Sequence, residues 1–271
     1  MKLLLIAVTA VCLAFGTGLA VAQDFDKGLA AAEAGDFETA LAEWLPLAEQ
    51  GDMYSQLNVG IMYSKGNGVA QDHTEAVKWF RLAAEQGLSE AQTYLGEMYE
   101  FGHGVGQDYA EAIKWYRLAA EQENANAQAN LGILYHGGRG VEEDYAEAIK
   151  WYRLAAAQQN GAAYTNLGTM YMDGLGVVQD YAEALKWFRL ASEQGFPQAQ
   201  YNIGWMYQQG TGVLQDNRKA HMWYNISSAN GVVDSAKLRD QIAAEMTPED
   251  ISTAQAMANT CMSSGYKECG W

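Results

Sequence analysis

The chain has 271 residues, 49% of them hydrophobic, which gives it material for a sizeable core and excludes wholesale disorder. Its 17 Lys and Arg stand against 33 Asp and Glu, and the formal charge of −16 disfavours nucleic-acid backbones and anionic lipid surfaces as partners. Only 3 prolines, against 28 glycines and many Ala, Glu and Gln, point to helices punctuated by glycine.

In chain order, Met1-Lys2 is a short basic start to an apolar run, Leu3 to Phe15. That run is too short for a bilayer span, which needs roughly 20 residues. Ala20-Val21-Ala22 matches a cleavage site before Gln23, so residues 1–22 read as a secretory signal peptide, leaving no membrane span in the mature chain. Cys12 follows Val11 rather than a small residue, so lipid attachment is not expected. Residues 23–52 read as an N-terminal helix pair over Phe25 to Gln50, with a kink expected at Pro46.

From residue 53 the sequence repeats every 36 residues. The segment "QDYAEAIKWYRLAAEQ" from Gln107 returns with small changes from Gln71, Glu143 and Gln179. Trp79, Trp115, Trp151, Trp187 and Trp223 keep the step, as do Gly60, Gly96, Gly132, Gly168 and Gly204. Trp44 aligns with Phe80, because Ala40 and Ala76 share the register. Each unit predicts two helices. In the first, Ala91, Leu95, Met98 and Tyr99 form one apolar stripe, and it ends in Gly-x-Gly-Val, a left-handed cap. The second opens on Asp with Glu three residues on (Asp72/Glu75, Asp108/Glu111, Asp144/Glu147, Asp180/Glu183), the pattern of a capping box. Ala76, Trp79 and Ala83 then fall on one face. A lone pair of such helices cannot bury its aromatics, so the units are expected to stack, with the tryptophans in the core. The expected fold is all-α, an α-solenoid of helix-turn-helix repeats at 53–88, 89–124, 125–160, 161–196 and 197–231.

Residues 232–271 read as a C-terminal helical cap: a helix over Val233 to Met246, then another opened by Thr247-Pro248. In an oxidising compartment Cys261 and Cys269 are expected to close a short disulfide loop. The glycine loops sit at helix C-termini with no strand before them and no Gly-Lys after, so they are not phosphate cradles. His73, His103, His136 and His221 form no metal-binding pattern, and no metal or cofactor is expected. Ser264 to Lys267 fits Ser-x-x-Lys, but no Lys-Thr-Gly box accompanies it. Asn225-Ile226-Ser227 is a glycosylation sequon inside an expected helix.

Taken together, the Leu-Gly, Gly-x-Gly-Val and Asp-Tyr-x-Glu-Ala elements at this spacing resemble the Sel-1-like repeat, a relative of the tetratricopeptide repeat. The resemblance implies a right-handed superhelix that acts as an adaptor in protein complexes, often exported in bacteria. Some relatives with a cysteine pair in each repeat have been called penicillin-binding or β-lactamase-like; this chain has no cysteine in its five units.

The resemblance also implies that the second, fifth, ninth and twelfth places of each first helix line a concave groove. These places vary here, and several carry large apolar or acidic side chains. The candidate partner-binding residues are Tyr54, Leu57, Ile61, Glu90, Glu97, Glu100, Ile133, His136, Met172, Tyr201 and Trp205. Tyr201 and Trp205 are the expected anchors, and the three glutamates favour a basic residue near the second repeat. The alternative for this face is packing of its side chains on one another. The expected function is an exported, non-enzymatic scaffold for another protein. The rivals are a cell-wall hydrolase or penicillin-binding activity, and envelope glycan binding without catalysis.

Overall fold

A computed structural model describes residues 18–270, with side chains from Phe25 onward. The expected signal peptide up to Thr17 lies outside the described residues. The described residues form fourteen helices and no strand, an all-α repeat fold in two compact units.

The first unit runs to Leu131 and includes Arg139–Val141. It contains α1 (Gly18–Glu33), which passes through the expected cleavage site, α2 (Phe37–Glu49), α3 (Met53–Lys65), α4 (His73–Glu85), α5 (Ser89–Phe101), α6 (Tyr109–Glu121) and the start of α7 (Ala125–His136). The second unit takes the rest of α7, then α8 (Tyr145–Ala157), α9 (Gly161–Asp173), α10 (Tyr181–Glu193), α11 (Pro197–Gln209), α12 (Asn217–Ala229), α13 (Val233–Ala243) and α14 (Pro248–Ser263). Among the described residues no helix is long and apolar enough to cross a membrane.

The helices begin and end where local chemistry dictates. The Asp72 carboxylate accepts hydrogen bonds from the backbone N–H of Thr74 and Glu75, and Asp108 does the same for Ala110 and Glu111. The other half of the expected capping box does not form. The backbone N–H of Asp72 donates to the Tyr63 carbonyl at 2.9 Å, and Asp108 donates likewise to Tyr99, so this donor is already spent on the preceding helix. The glutamates pair instead with lysines three residues on, Glu75 with Lys78 at 2.6 Å and Glu111 with Lys114 at 3.2 Å. Each first helix closes on a left-handed glycine, Gly102 at φ +70° in α5. The second glycine of that loop has a different task. A Cβ on Gly104 would collide with the His73 carbonyl at the start of α4, so glycine there lets consecutive repeats touch.

The core departs from expectation at the aromatics. The tryptophan of the second helix joins the core as expected only at Trp115 and Trp223, while the residue after it is fully buried in all five repeats: Phe80, Tyr116, Tyr152, Phe188 and Tyr224. These rings fill the space that the helical glycines leave open; a Cβ on Gly60 would sit 2.7 Å from Phe80, and one on Gly168 2.5 Å from Phe188. Trp79, Trp151 and Trp187 are only half-buried. Trp44, in register with Phe80, is buried as its alignment requires. Helix α2 continues past Pro46 to Glu49.

A glutamine ladder, not anticipated from the sequence, ties repeat to repeat. Gln56, Gln92 and Gln128 each donate to an alanine carbonyl eight residues earlier, and the Gln56 and Gln92 side chains accept from Gln86 and Gln122. The ladder breaks at Tyr164, which occupies the glutamine slot and lies against Trp187 instead. At the C-terminus α14 packs on α12. Ile226 there is fully buried, whereas its register mates Leu82, Leu118, Leu154 and Leu190 are exposed. The Cys261–Cys269 disulfide forms as expected. Its loop places Tyr266 against Gly195 and within hydrogen-bond reach of Asn230 at 2.9 Å.

Candidate functional site

The four variable places of each first helix separate into three kinds. The fifth place belongs to the core in the first three repeats, where Leu57, Thr93 and Ala129 are buried. Leu57 and Ile61 are 0% and 5% exposed and sit in one cluster with Phe80 and Leu95, so Leu57 is a packing residue and Ile61 keeps only the edge that lines a small cavity. The twelfth place is a partner of the buried ring beneath it. Tyr116 donates its hydroxyl to Glu100 at 2.8 Å, Tyr152 lies 3.5 Å from His136 Nδ1, and Tyr224 donates to Gln208 at 2.7 Å. Where the ring is phenylalanine, in Phe80 and Phe188, the twelfth place is Ser64 and Met172. The alternation of Phe and Tyr after Lys-Trp was the available signal for this pairing. Glu100 and His136 therefore face inward chemistry. His136 also meets Tyr145 edge-on at 5.7 Å, and Glu100, 4% exposed, forms an ion pair with Arg139 at 3.2 Å. Arg139 fills a loop slot that reads as ordinary surface in the other repeats.

The second and ninth places are left to shape an outer face, with Tyr54, Glu90, Glu97, Ile133 and Trp205 all half-buried. In the first unit this face holds a cavity of about 80 Å³ lined by Ile61, Glu90, Thr93, Tyr94, Glu97, Asn124 and Asn126. Its floor is rigid. Tyr94 stacks on Phe80 with ring centroids 5.1 Å apart, and Thr93 donates to the Ser89 carbonyl at 2.9 Å. Glu90 accepts from Ser89 Oγ at 3.1 Å. Burial pushes the Glu97 carboxyl up to about 7; a hydrogen bond from Asn130 opposes the rise and the Glu100 charge adds to it. The cavity thus joins an aromatic and an aliphatic wall to two carboxyls, one of which titrates near neutrality.

The second unit presents a different surface. On α11, Tyr201 packs against Tyr224 at 5.7 Å, so this expected anchor is partly engaged within the fold. Trp205 stands half-exposed on the same helix. One turn further along α11, Gln208 and Gln209 line an open cleft of about 570 Å³ bounded by α11, the loop into α12, and α13. Met172 is half-buried on α9.

The residues of the tail that could suggest catalysis have structural work. Ser264 donates to the Cys261 carbonyl at 2.8 Å and accepts from the Glu268 N–H at 2.9 Å, which makes it a turn residue. Asn225 of the sequon lies inside α12, and its Oδ1 accepts from Arg239 at 3.2 Å. Among the described residues no cluster of three His, Cys, Asp or Glu could hold a metal.

Comparison with known proteins bears on both units. The Sel1 repeat profile matches residues 54–88, 89–124, 125–160, 161–196 and 197–232. A solved Sel1 repeat protein from Oxalobacter formigenes is 33% identical, with 88% of this chain and 99% of that one covered and a TM-score of 0.76. A sel1 repeat protein from Klebsiella pneumoniae is 24% identical over 74% of this chain and 98% of that one, TM-score 0.52. The immunity protein Pa5087 from Pseudomonas aeruginosa, 20% identical over 79% of this chain and 84% of that one, TM-score 0.51, shares the fold. No curated protein matches the sequence.

Proposed function

The chain belongs to the Sel1 repeat family, and from that premise we propose that it is an exported, non-catalytic adaptor that docks a segment of another protein on the α3–α5–α7 face of its first unit. Repeats of this family generally mediate protein–protein interaction. The observation that carries the finer reading is the cavity between Ile61, Tyr94 and the two carboxyls of Glu90 and Glu97. A lysine or arginine side chain suits it. The aliphatic stem lies along Ile61 and the Tyr94 ring, and the cationic head meets Glu97, whose ionisation it favours. The net charge of −16 steers a basic segment toward the protein. Export rests on the apolar N-terminal run and its cleavage site.

The test is site-specific photocrosslinking in the producing cell. A benzophenone side chain at Asn126, on the rim of the cavity, is expected to trap a protein whose crosslinked segment contains lysine or arginine. The same probe at Lys78, exposed on α4, is the control. Identical products from both positions would overturn the assignment. Glu97→Gln and Glu90→Gln are then expected to weaken binding of the captured segment roughly tenfold each, the scale of a charge-assisted hydrogen bond.

A further inference from the structure

We propose that the second unit carries a separate site, the cleft between the end of α11 and α13, that binds a neutral oligosaccharide. The lining decides the class of ligand. Side-chain amides dominate it: Gln208, Gln209, Gln215 and Asn217 on one side, Gln241 on the other. Each amide offers a donor and an acceptor in one plane, the arrangement that matches adjacent hydroxyls on a sugar ring. No lysine or arginine lines the cleft, which disfavours phosphate or sulfate, and Glu245 is its single charge. Its aliphatic lining is Ile242 and Ala244, with Ile242 itself buried, so there is no pocket for the apolar side chain of a peptide.

Two of the amides are set in place by the fold. Gln208 Oε1 accepts the Tyr224 hydroxyl at 2.7 Å, which leaves its Nε2 as a donor. Gln215 donates to the Gln208 carbonyl at 3.0 Å, leaving its Oε1 as acceptor. The side chains of Gln209, Asn217 and Gln241 make no hydrogen bond to the described residues, so their capacity is open to a ligand. Trp205 precedes Gln208 by three residues and Gln209 by four, which places it one helical turn away on the same side of α11. The partly exposed indole, one turn from the lining glutamines, is the aromatic surface within reach for stacking against the C–H side of a pyranose bound there. The volume of about 570 Å³ falls in the ordinary range for small-molecule sites, about 300–1,000 Å³.

The experiment uses the full mature chain and a panel of uncharged tetrasaccharides: β-1,4-linked glucose, β-1,4-linked N-acetylglucosamine and α-1,4-linked glucose. Calorimetry, with saturation-transfer NMR to locate the bound ring, is expected to detect at least one of them. Trp205→Ala and Gln241→Ala are each expected to weaken that binding tenfold or more, and Trp205→Phe to retain most of it. Circular dichroism and thermal melting establish that the variants fold. The Glu97→Gln variant in the first unit is expected to bind the sugar unchanged, which separates this site from the docking cavity. Absence of binding by the whole panel at millimolar concentration would overturn the proposal. So would binding that survives both Trp205→Ala and Gln241→Ala.

Discussion

Helices α5 and α11 occupy the same place in two repeats that lie three steps of 36 residues apart, and their outer faces have opposite chemistry. The four variable places read Glu90, Thr93, Glu97 and Glu100 in α5, and Gln198, Tyr201, Trp205 and Gln208 in α11. Around the first the protein closes a small acidic cavity; around the second it leaves an open cleft of amides. The backbone and the inward stripe are the same in both. The repeat therefore sets the scaffold and hands recognition to a few side chains, as in other stacked-repeat proteins. The two faces also differ in how the twelfth place is held: Glu100 by the Tyr116 hydroxyl and an ion pair with Arg139, Gln208 by the Tyr224 hydroxyl on its side chain and by Gln215 on its backbone carbonyl.

That difference is sharpest at the helical glycines. A Cβ on Gly96 would lie 2.6 Å from the Tyr116 ring, and one on Gly204 2.9 Å from Tyr224. Tyr116 cannot retreat without pulling its hydroxyl from a buried carboxylate. Gly96→Ala is expected to cost about 3 kcal/mol and Gly204→Ala about 1 kcal/mol, after the gain in helix propensity. Urea unfolding of the two variants, followed by circular dichroism, checks the order. Equal losses would break the distinction between a first face anchored on a buried carboxylate and a second anchored on neutral amides.

The next effect belongs to the second unit alone. Replacing Cys261 and Cys269 with serine opens a loop of sequence separation 8 and is expected to remove about 2–3 kcal/mol, the entropy of closing so short a loop. Tyr266 then loses its hold on Asn230. Hydrogen exchange is expected to quicken in α14 and α12 and to stay unchanged in α3 to α6. Faster exchange throughout the chain would mean that the disulfide supports more than the C-terminal cap.

In the first unit, Arg139→Ala leaves the buried Glu100 charge with Tyr116 as its remaining polar partner. Removing one member of a fully buried pair costs about 3–5 kcal/mol; the Arg139 side chain is 38% exposed, so about 2 kcal/mol is expected here. Glu100→Gln in the same chain is expected to restore most of the loss. In the second unit, Gln208→Leu removes the acceptor for Tyr224 and is expected to cost about 1 kcal/mol. Thermal melts compare the two.

How far these contrasts could be read beforehand depends on the range of the interaction. Helix boundaries, the Asp caps, the left-handed Gly102 and the Thr247-Pro248 start of α14 follow from residues a turn apart, and the 36-residue step exposes them. The disulfide follows from the short spacing of Cys261 and Cys269 together with the expectation of export. The ring buried in all five repeats is the residue after the tryptophan, and the tryptophan itself is buried only at Trp115 and Trp223. Tryptophan is the larger and more regular aromatic, yet the glycine of the partner helix makes room for its neighbour, and that contact joins separate helices. The same limit hid the glutamine ladder, whose rungs span 30 residues from Gln86 to Gln56, and the reach of Arg139 to Glu100 across 39. The acidic character of the α5 face was readable, but its enclosure was not. Ile61, which the resemblance put on an open groove, belongs to the core and closes one wall of the cavity.

The smallest expected effect tests the two faces through protons. Glu97 ionises near pH 7 in the folded chain, against 4.5 for an ordinary glutamate, because burial disfavours its charge. Its folded form therefore holds a proton that the unfolded chain releases between pH 4.5 and 7. The stability this contributes is complete below pH 4.5 and is lost as pH rises through about 7. For a half-buried carboxyl the loss is on the order of 1 kcal/mol, well short of the roughly 1.4 kcal/mol per pH unit that a sealed site would show. Melting temperatures are expected to fall between pH 5 and pH 8 in the parent and to flatten in Glu97→Gln, while Trp205→Ala leaves the slope as it was. Binding of a lysine segment reverses the sign, since the ammonium needs Glu97 ionised. Affinity at the first face should rise from pH 6 to pH 8, and sugar binding at the second, whose amides do not titrate, should not move. A pH dependence shared by both faces would show that the proton acts on the fold and not on the α5 cavity.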